Sequence, residues 1–202
     1  LLDGVITPGE WSGAGLADVT APGASGQVTM YVMNSANMLF FAIDDTRDAT
    51  LDSNDTFGLF VDGDGNREWP GPAPSSEGLL QFYQSGSART AINAFLGIRG
   101  TWPGSMSADG WSIPSGVRQK ISAARGHVQY EGSIHLHTGP LRVIPGGTIG
   151  CLVYVWDGRG TGFTGTWPQE TAVKLPEFCT GNSWAYAPFS YGDVTLGASS
   201  TV

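Results

Sequence analysis

Apolar positions recur every second residue through most of the chain. Gln27–Met33 sets Val28, Met30 and Val32 against Thr29, Tyr31 and Met33, a period of two that sends alternate side chains to opposite faces of a strand. Met38–Asp44 is apolar on both faces, the pattern of a central strand covered from both sides. Thr56–Asp62 places Phe57, Leu59 and Val61 on one side. The same reading predicts strands over Leu79–Gln84, Arg89–Leu96, Val117–Ala124, His127–His137, Thr148–Asp157 and Tyr191–Leu196. Pro/Gly-rich stretches at 69–76, 100–116 and 158–169 read as loops. One short helix is expected at Pro8–Ala14, where Thr7 can cap and Glu10 stands three residues on. The pattern predicts an all-β chain of nine or ten strands, a single-domain antiparallel β-sandwich of jelly-roll type over residues 1–202.

Composition narrows the function classes. A chain of 202 residues buries roughly 70% of its unfolded surface, so it needs no metal or disulfide merely to fold. Charged residues make up only 14%, against about 25% in an average soluble protein. The net charge is −8, and Lys/Arg never cluster beyond two neighbours, which argues against a nucleic-acid backbone or an anionic membrane surface as partner. No apolar run approaches the ~20 residues of a membrane-spanning helix. The chain opens on Leu1 rather than Met and shows no signal peptide, which suggests a mature or trimmed product. Cys151 and Cys179 make an even count with no CxxC motif; in so Gly-rich and aromatic a chain they are expected to form one disulfide in an oxidising, extracellular compartment.

The strongest chemical signal is acidic. Seven aspartates fall between 44 and 64: Asp44, Asp45, Asp48, Asp52, Asp55, Asp62 and Asp64, with Arg47 the only cation among them. So many carboxylates repel unless water separates them or a cation neutralises them. Asp62-Gly63-Asp64-Gly65-Asn66 offers oxygen ligands at alternate positions of a tight turn, which suits the six to eight hard ligands of Ca²⁺. It is not an EF-hand, since the sixth position is Arg67 and Ala73 stands where the bidentate Glu belongs. Asp45, Asp48 and Asp55 are expected to complete the same shell from the preceding loop. The competing reading is that Asp and Asn serve their own turns.

Loop aromatics come next. Trp69, Trp102, Trp111, Trp167 and Trp184, with Tyr186 beside the last, sit in Gly/Pro/Ser-rich surroundings, whereas Trp11 and Trp156 read as core. An indole stacks on the apolar C–H face of a sugar, but Trp-Pro pairs equally pin loops onto a sandwich. Candidate sugar contacts are Trp69, Trp102, Trp111, Trp184 and Tyr186. His127, His135 and His137 can be read as a zinc site, and Met30, Met33 and Met38 with these histidines as axial haem ligands. The plainer alternative places all six on ordinary strands. Glu131 and Glu170 can be paired as glycosidase carboxylates only by assertion, and no G-x-S-x-G elbow is present, so no enzyme is predicted.

The order of motifs resembles a known group. Asp3-Gly4, Glu10-Trp11, the Val28–Val32 strand, Leu39-Phe40-Phe41-Ala42, Asn54-Asp55-Thr56-Phe57, Tyr130-Glu131-Gly132-Ser133-Ile134, Pro145-Gly146-Gly147-Thr148 and Gly192-Asp193-Val194-Thr195-Leu196 together resemble the family 9 carbohydrate-binding modules and the wider DOMON-like β-sandwiches. One departure is His135-Leu136-His137, where such modules more often carry Pro-Leu. The resemblance implies a secreted domain that binds a polysaccharide or other glycan without catalysis and carries structural calcium. Its redox branch implies haem as a lesser alternative. From the residues themselves a second expectation stands beside it: a self-assembling extracellular subunit of a filament, tube or surface layer. There the tips Leu1-Leu2 and Ser199-Ser200-Thr201-Val202 add to a neighbour's sheet edge, with calcium between copies.

Overall fold

The computed structural model describes residues 2–71, 75–85, 90–100, 107–138, 146–158, 162–168 and 187–197. Among them are twelve strands in two antiparallel sheets. The five-stranded sheet has the order β1 (Gly15–Asp18), β2 (Val28–Asn34), β3 (Met38–Asp45), β9 (Val128–His135), β8 (Val117–Ser122). The seven-stranded sheet runs β11 (Gly162–Trp167), β10 (Thr148–Asp157), β4 (Thr56–Asp62), β5 (Gly78–Ser85), β6 (Thr90–Arg99), β7 (Ser107–Ser112). Its last strand, β12 (Gly192–Thr195), pairs with the first half of β10, and β11 pairs with the second half.

Between the sheets, the inward positions form one continuous core. Phe41, Ile43, Phe57, Leu59, Leu80, Phe82, Tyr130 and Val153 meet there, and Phe57 stacks on Phe82 with centroids 5.5 Å apart. Met30 lies in this core while Met33 belongs to the outer cluster of the five-stranded sheet, so the two do not converge on a haem pocket. Cys151 is buried in the same core with no disulfide partner among the described residues, and burial pushes its ionisation well up. Its expected partner Cys179 lies outside the described residues.

Both outer faces are covered in part. Residues 2–14 cross the five-stranded sheet and pack Ile6 and Trp11 on Ala42 of β3, which is why that strand is apolar on both sides. The expected helix at Pro8–Ala14 is instead a run of turns, closed by Glu10 N–H to Thr7 O and Ser12 N–H to Gly9 O. Glu10 still reaches back to the Thr7 N–H and hydroxyl, as a capping box would. Gly9 and Gly13, at φ 89° and 90°, break the helical path. On the seven-stranded sheet a second cluster joins Phe60, Leu79, Leu152 and Tyr154 to Trp69 and Tyr191 from the loops.

Nine of the twelve strands match the hydrophobic alternation. The other three, β1, β7 and β11, do not. β7 falls inside the expected loop 100–116 and is exposed at every residue, and β11 falls inside 158–169. β7 has no buried side to impose a period-two signal, whereas Ala17 of β1 and Trp167 of β11 do pack on the core, from segments too short and too rich in Gly and Thr to show an apolar alternation.

Candidate functional site

β4 organises the acidic residues, and it separates them. Asp55 precedes its first residue and Asp62 is its last, seven residues and roughly 23 Å apart along the strand. The single calcium shell expected from Asp45, Asp48, Asp55, Asp62, Asp64 and Asn66 is therefore two clusters at opposite ends of the sandwich.

The first cluster closes the core. Strand pairing sets Asp157 and Gln84 beside Asp55 in one inward-facing row, because Thr56 pairs with both Trp156 and Tyr83 and the next residues follow in register. Asp48 joins from the β3–β4 loop, and carboxylate oxygens of Asp48, Asp55 and Asp157 lie within 4.8 Å of one another. Asp45, 1% exposed at the end of β3, faces the same space: its charge, with those of Asp55, Asp48 and Asp157, adds to burial in raising the Tyr130 phenol well above its usual range. Burial first, then the charges of Asp55, Asp157 and Asp45, push Asp48 up to about 7. Burial, with the charges of Asp52 and Asp157, raises Asp55 too, although it accepts the N–H groups of Asp52 and Gly158. The Gln84 amide nitrogen in this row is buried and makes no hydrogen bond.

The second cluster gathers Asp62, Asp64 and Glu77, again with oxygens within 4.8 Å. Glu77 accepts the N–H groups of Gly63 and Asp64 at 3.0 and 3.3 Å, and Asp62 those of Gly65 and Arg67 at 2.9 and 2.8 Å. Burial, reinforced by Asp64 and Asp62, drives Glu77 up to about 7; Asp62 is raised too. Asn66 is committed to the turn, donating to Asp64 and accepting from Glu68 N–H. Sequence reading missed Glu77 and Asp157. Both are distant in the chain, and only the pairing of β5 and β10 with β4 brings them in. Ca²⁺ binds oxygens at about 2.3–2.6 Å, so two ligands of one ion lie no more than about 5 Å apart, and both clusters satisfy that limit.

The aromatic candidates separate as well. Trp69 is 5% exposed and packs edge-on against Tyr191 at 5.9 Å, in a loop that Arg67 ties to the Tyr191 carbonyl and to Asp193; it offers no open ring face. Trp69→Ala is expected to cost about 3 kcal/mol, read as a lower denaturant midpoint, by emptying this packed site. Trp111 is 53% exposed on β7. Trp102, Trp184 and Tyr186 lie outside the described residues, as does Glu170. Trp156, read as core, is instead 38% exposed on the outer face of β10. Its apolar neighbours in the chain face inward, and the alternation sends it out.

The histidines do not assemble. His127 bonds Asp44 at 2.5 Å at one end of β9, while His135 and His137 stand at the other, beside Met38 and the Ala36 carbonyl. Glu131 is a clamp: 1% exposed, it accepts the N–H groups of Asp3 and Gly4 at 2.9 and 2.8 Å and the Trp11 indole N–H at 3.1 Å.

No protein-family model matches the sequence, and no curated protein matches it. The fold does have solved counterparts. A carbohydrate-binding module of family 9 from Caldicellulosiruptor kristjanssonii, solved in complex with glucose, superimposes with a TM-score of 0.61. That likeness covers 100% of this chain and 93% of the module at 16% sequence identity. The chain thus has the β-sandwich fold of a family 9 module.

Proposed function

We propose that residues 1–202 act as one non-catalytic, calcium-stabilised carbohydrate-binding domain, secreted or displayed at the cell surface. The observation that carries this reading is the whole-chain fold likeness to a module holding glucose. The exposed Trp156 on the outer face of the seven-stranded sheet supports it. Asp48, Asp55 and Asp157 would hold one Ca²⁺, with Asp45 behind them, and Asp62, Asp64 and Glu77 a second, with Asn66 shaping the turn. The ion supplies positive charge that offsets carboxylate repulsion at both ends of β4. Polysaccharides and millimolar calcium are met together outside the cell, which fits the proposed location. Among the described residues no helix is long and apolar enough to cross a membrane.

Retention on insoluble polysaccharide tests the reading. The protein is expected to be held on cellulose or xylan in calcium buffer and released by soluble oligosaccharide. Passage through every matrix as freely as albumin would overturn it.

A second reading, self-association into an extracellular filament, tube or layer, has one observation in its favour. β7 is an edge strand, exposed throughout, and carries Trp111 with Ile113 just beyond it at 89% exposure. Light scattering with millimolar calcium and then chelator separates this from the first reading: large particles lost on Ile113→Lys support it, and a monomer in both buffers removes it. The tips Leu1 and Ser199–Val202 lie outside the described residues.

A further inference from the structure

The outer face of the seven-stranded sheet carries a row of side chains that neither the fold likeness nor the expected loop tryptophans assign. Trp156, Thr56 and Tyr83 are direct cross-strand neighbours on β10, β4 and β5, all on the outer face because Val155, Phe57 and Phe82 beside them face the core. Two aromatic side chains thus stand two strand spacings apart, about 9.6 Å, with a small hydroxyl residue between them. A ring held between two aromatic faces at ordinary contact distance needs roughly 7–8 Å between the walls, which side chains leaning inward from this spacing can provide. One step along the sheet, Gly58 lets the Tyr154 ring lie across β4, since a Cβ there would stand 1.9 Å from that ring. The Gln81 amide donates to the Tyr154 hydroxyl at 2.6 Å. The slot therefore has aromatic walls, a Thr56 floor and a polar back, the mixture a sugar ring needs.

Its charge selects among sugars. Asp55 and Asp157 adjoin Thr56 and Trp156 in the chain and point to the opposite face, into the first acidic cluster. Four carboxylates, Asp45, Asp48, Asp55 and Asp157, gather there against the two charges of one Ca²⁺, so an anionic ligand would meet what that ion leaves uncompensated across one sheet thickness. We infer that Trp156, Thr56 and Tyr83 form a binding slot for a neutral saccharide ring, backed by Gln81 and Tyr154. The inference rests on the carbohydrate-binding reading and names its site. By contrast, Trp111 has Leu96 as its cross-strand neighbour, with no aromatic paired beside it among the described residues.

Calorimetric titration with cellotetraose, xylotetraose and tetragalacturonate tests it, using the wild-type chain, Trp156→Ala, Tyr83→Ala and Trp111→Ala. All three side chains are at least partly exposed, and circular dichroism with thermal melting checks that each variant folds. Expected is binding of a neutral tetrasaccharide by the wild type, no heat with tetragalacturonate, an affinity loss of tenfold or more for Trp156→Ala and Tyr83→Ala, and less than threefold for Trp111→Ala. Wild-type affinity in folded Trp156→Ala and Tyr83→Ala, or a loss confined to Trp111→Ala, would overturn the slot and leave carbohydrate binding standing. Preference for tetragalacturonate overturns the neutral assignment. Absence of heat with every sugar in the wild type removes the functional reading and the slot with it.

Discussion

Chelation of calcium is expected to lower the melting temperature by about 15–30 °C. An ion at a thousand times its dissociation constant stabilises the folded state by about 4 kcal/mol per site, and each kcal/mol moves a chain of this size by roughly 2–4 °C. The acidic clusters set the pH dependence of the stripped protein. Asp48 and Glu77, each raised to about 7, bind protons more tightly folded than unfolded. Between their ordinary values near 4 and about 7 the folded state holds the extra protons, so stability falls as pH rises through that window. In chelator the protein is expected to melt several degrees higher at pH 5.5 than at pH 8. Calcium is expected to reverse the order, because ion and proton would compete for the same oxygens. Scanning calorimetry at both pH values, with and without calcium, reads all four cases. Equal melting temperatures with and without calcium at pH 8 would refute both sites.

Replacement of Glu131 by Ala is expected to cost about 4 kcal/mol. The carboxylate is the shared acceptor of three donors, two of them in buried bonds, and a hydrogen bond to a charged group contributes about 1.5–3 kcal/mol. Losing it strands the Asp3 and Gly4 N–H groups and the Trp11 indole, and so loosens residues 2–14 from the five-stranded sheet. Glu131→Gln keeps the shape but turns one acceptor into a donor, so it falls between the two. Urea denaturation gives the cost. Hydrogen exchange at Gly4 is expected to quicken far more than exchange in β4; uniform change across both would mean the residue is not a local clamp.

Much of this molecule is written in short-range pattern. Nine strands announce themselves because burial on one face imposes alternation, and Thr148–Asp157 and Thr56–Asp62 coincide with β10 and β4 residue for residue. What escapes is long-range. The Asp44–Asp64 run looks like one site because its members are near in sequence, yet an extended strand carries Asp62 far from Asp55. Glu77 and Asp157 are invisible until pairing with β4 fixes their neighbours. Trp156 shows the same limit: the apolar run before it suggests core, but the alternation that turns Val155 inward sends Trp156 to the outer face, where it is 38% exposed. Trp69 errs the other way, since a Gly/Pro-rich setting describes a loop without saying that Tyr191 will be waiting beneath it.

The most direct test of the central claim is isothermal titration of cello- and xylo-oligosaccharides into the protein, first in millimolar calcium and then in chelator. The account predicts saturable binding of a neutral oligosaccharide in calcium, weakened when the ion is removed from the Asp55–Asp157 end of the sheet. A flat titration in calcium, across both sugar series, would contradict it.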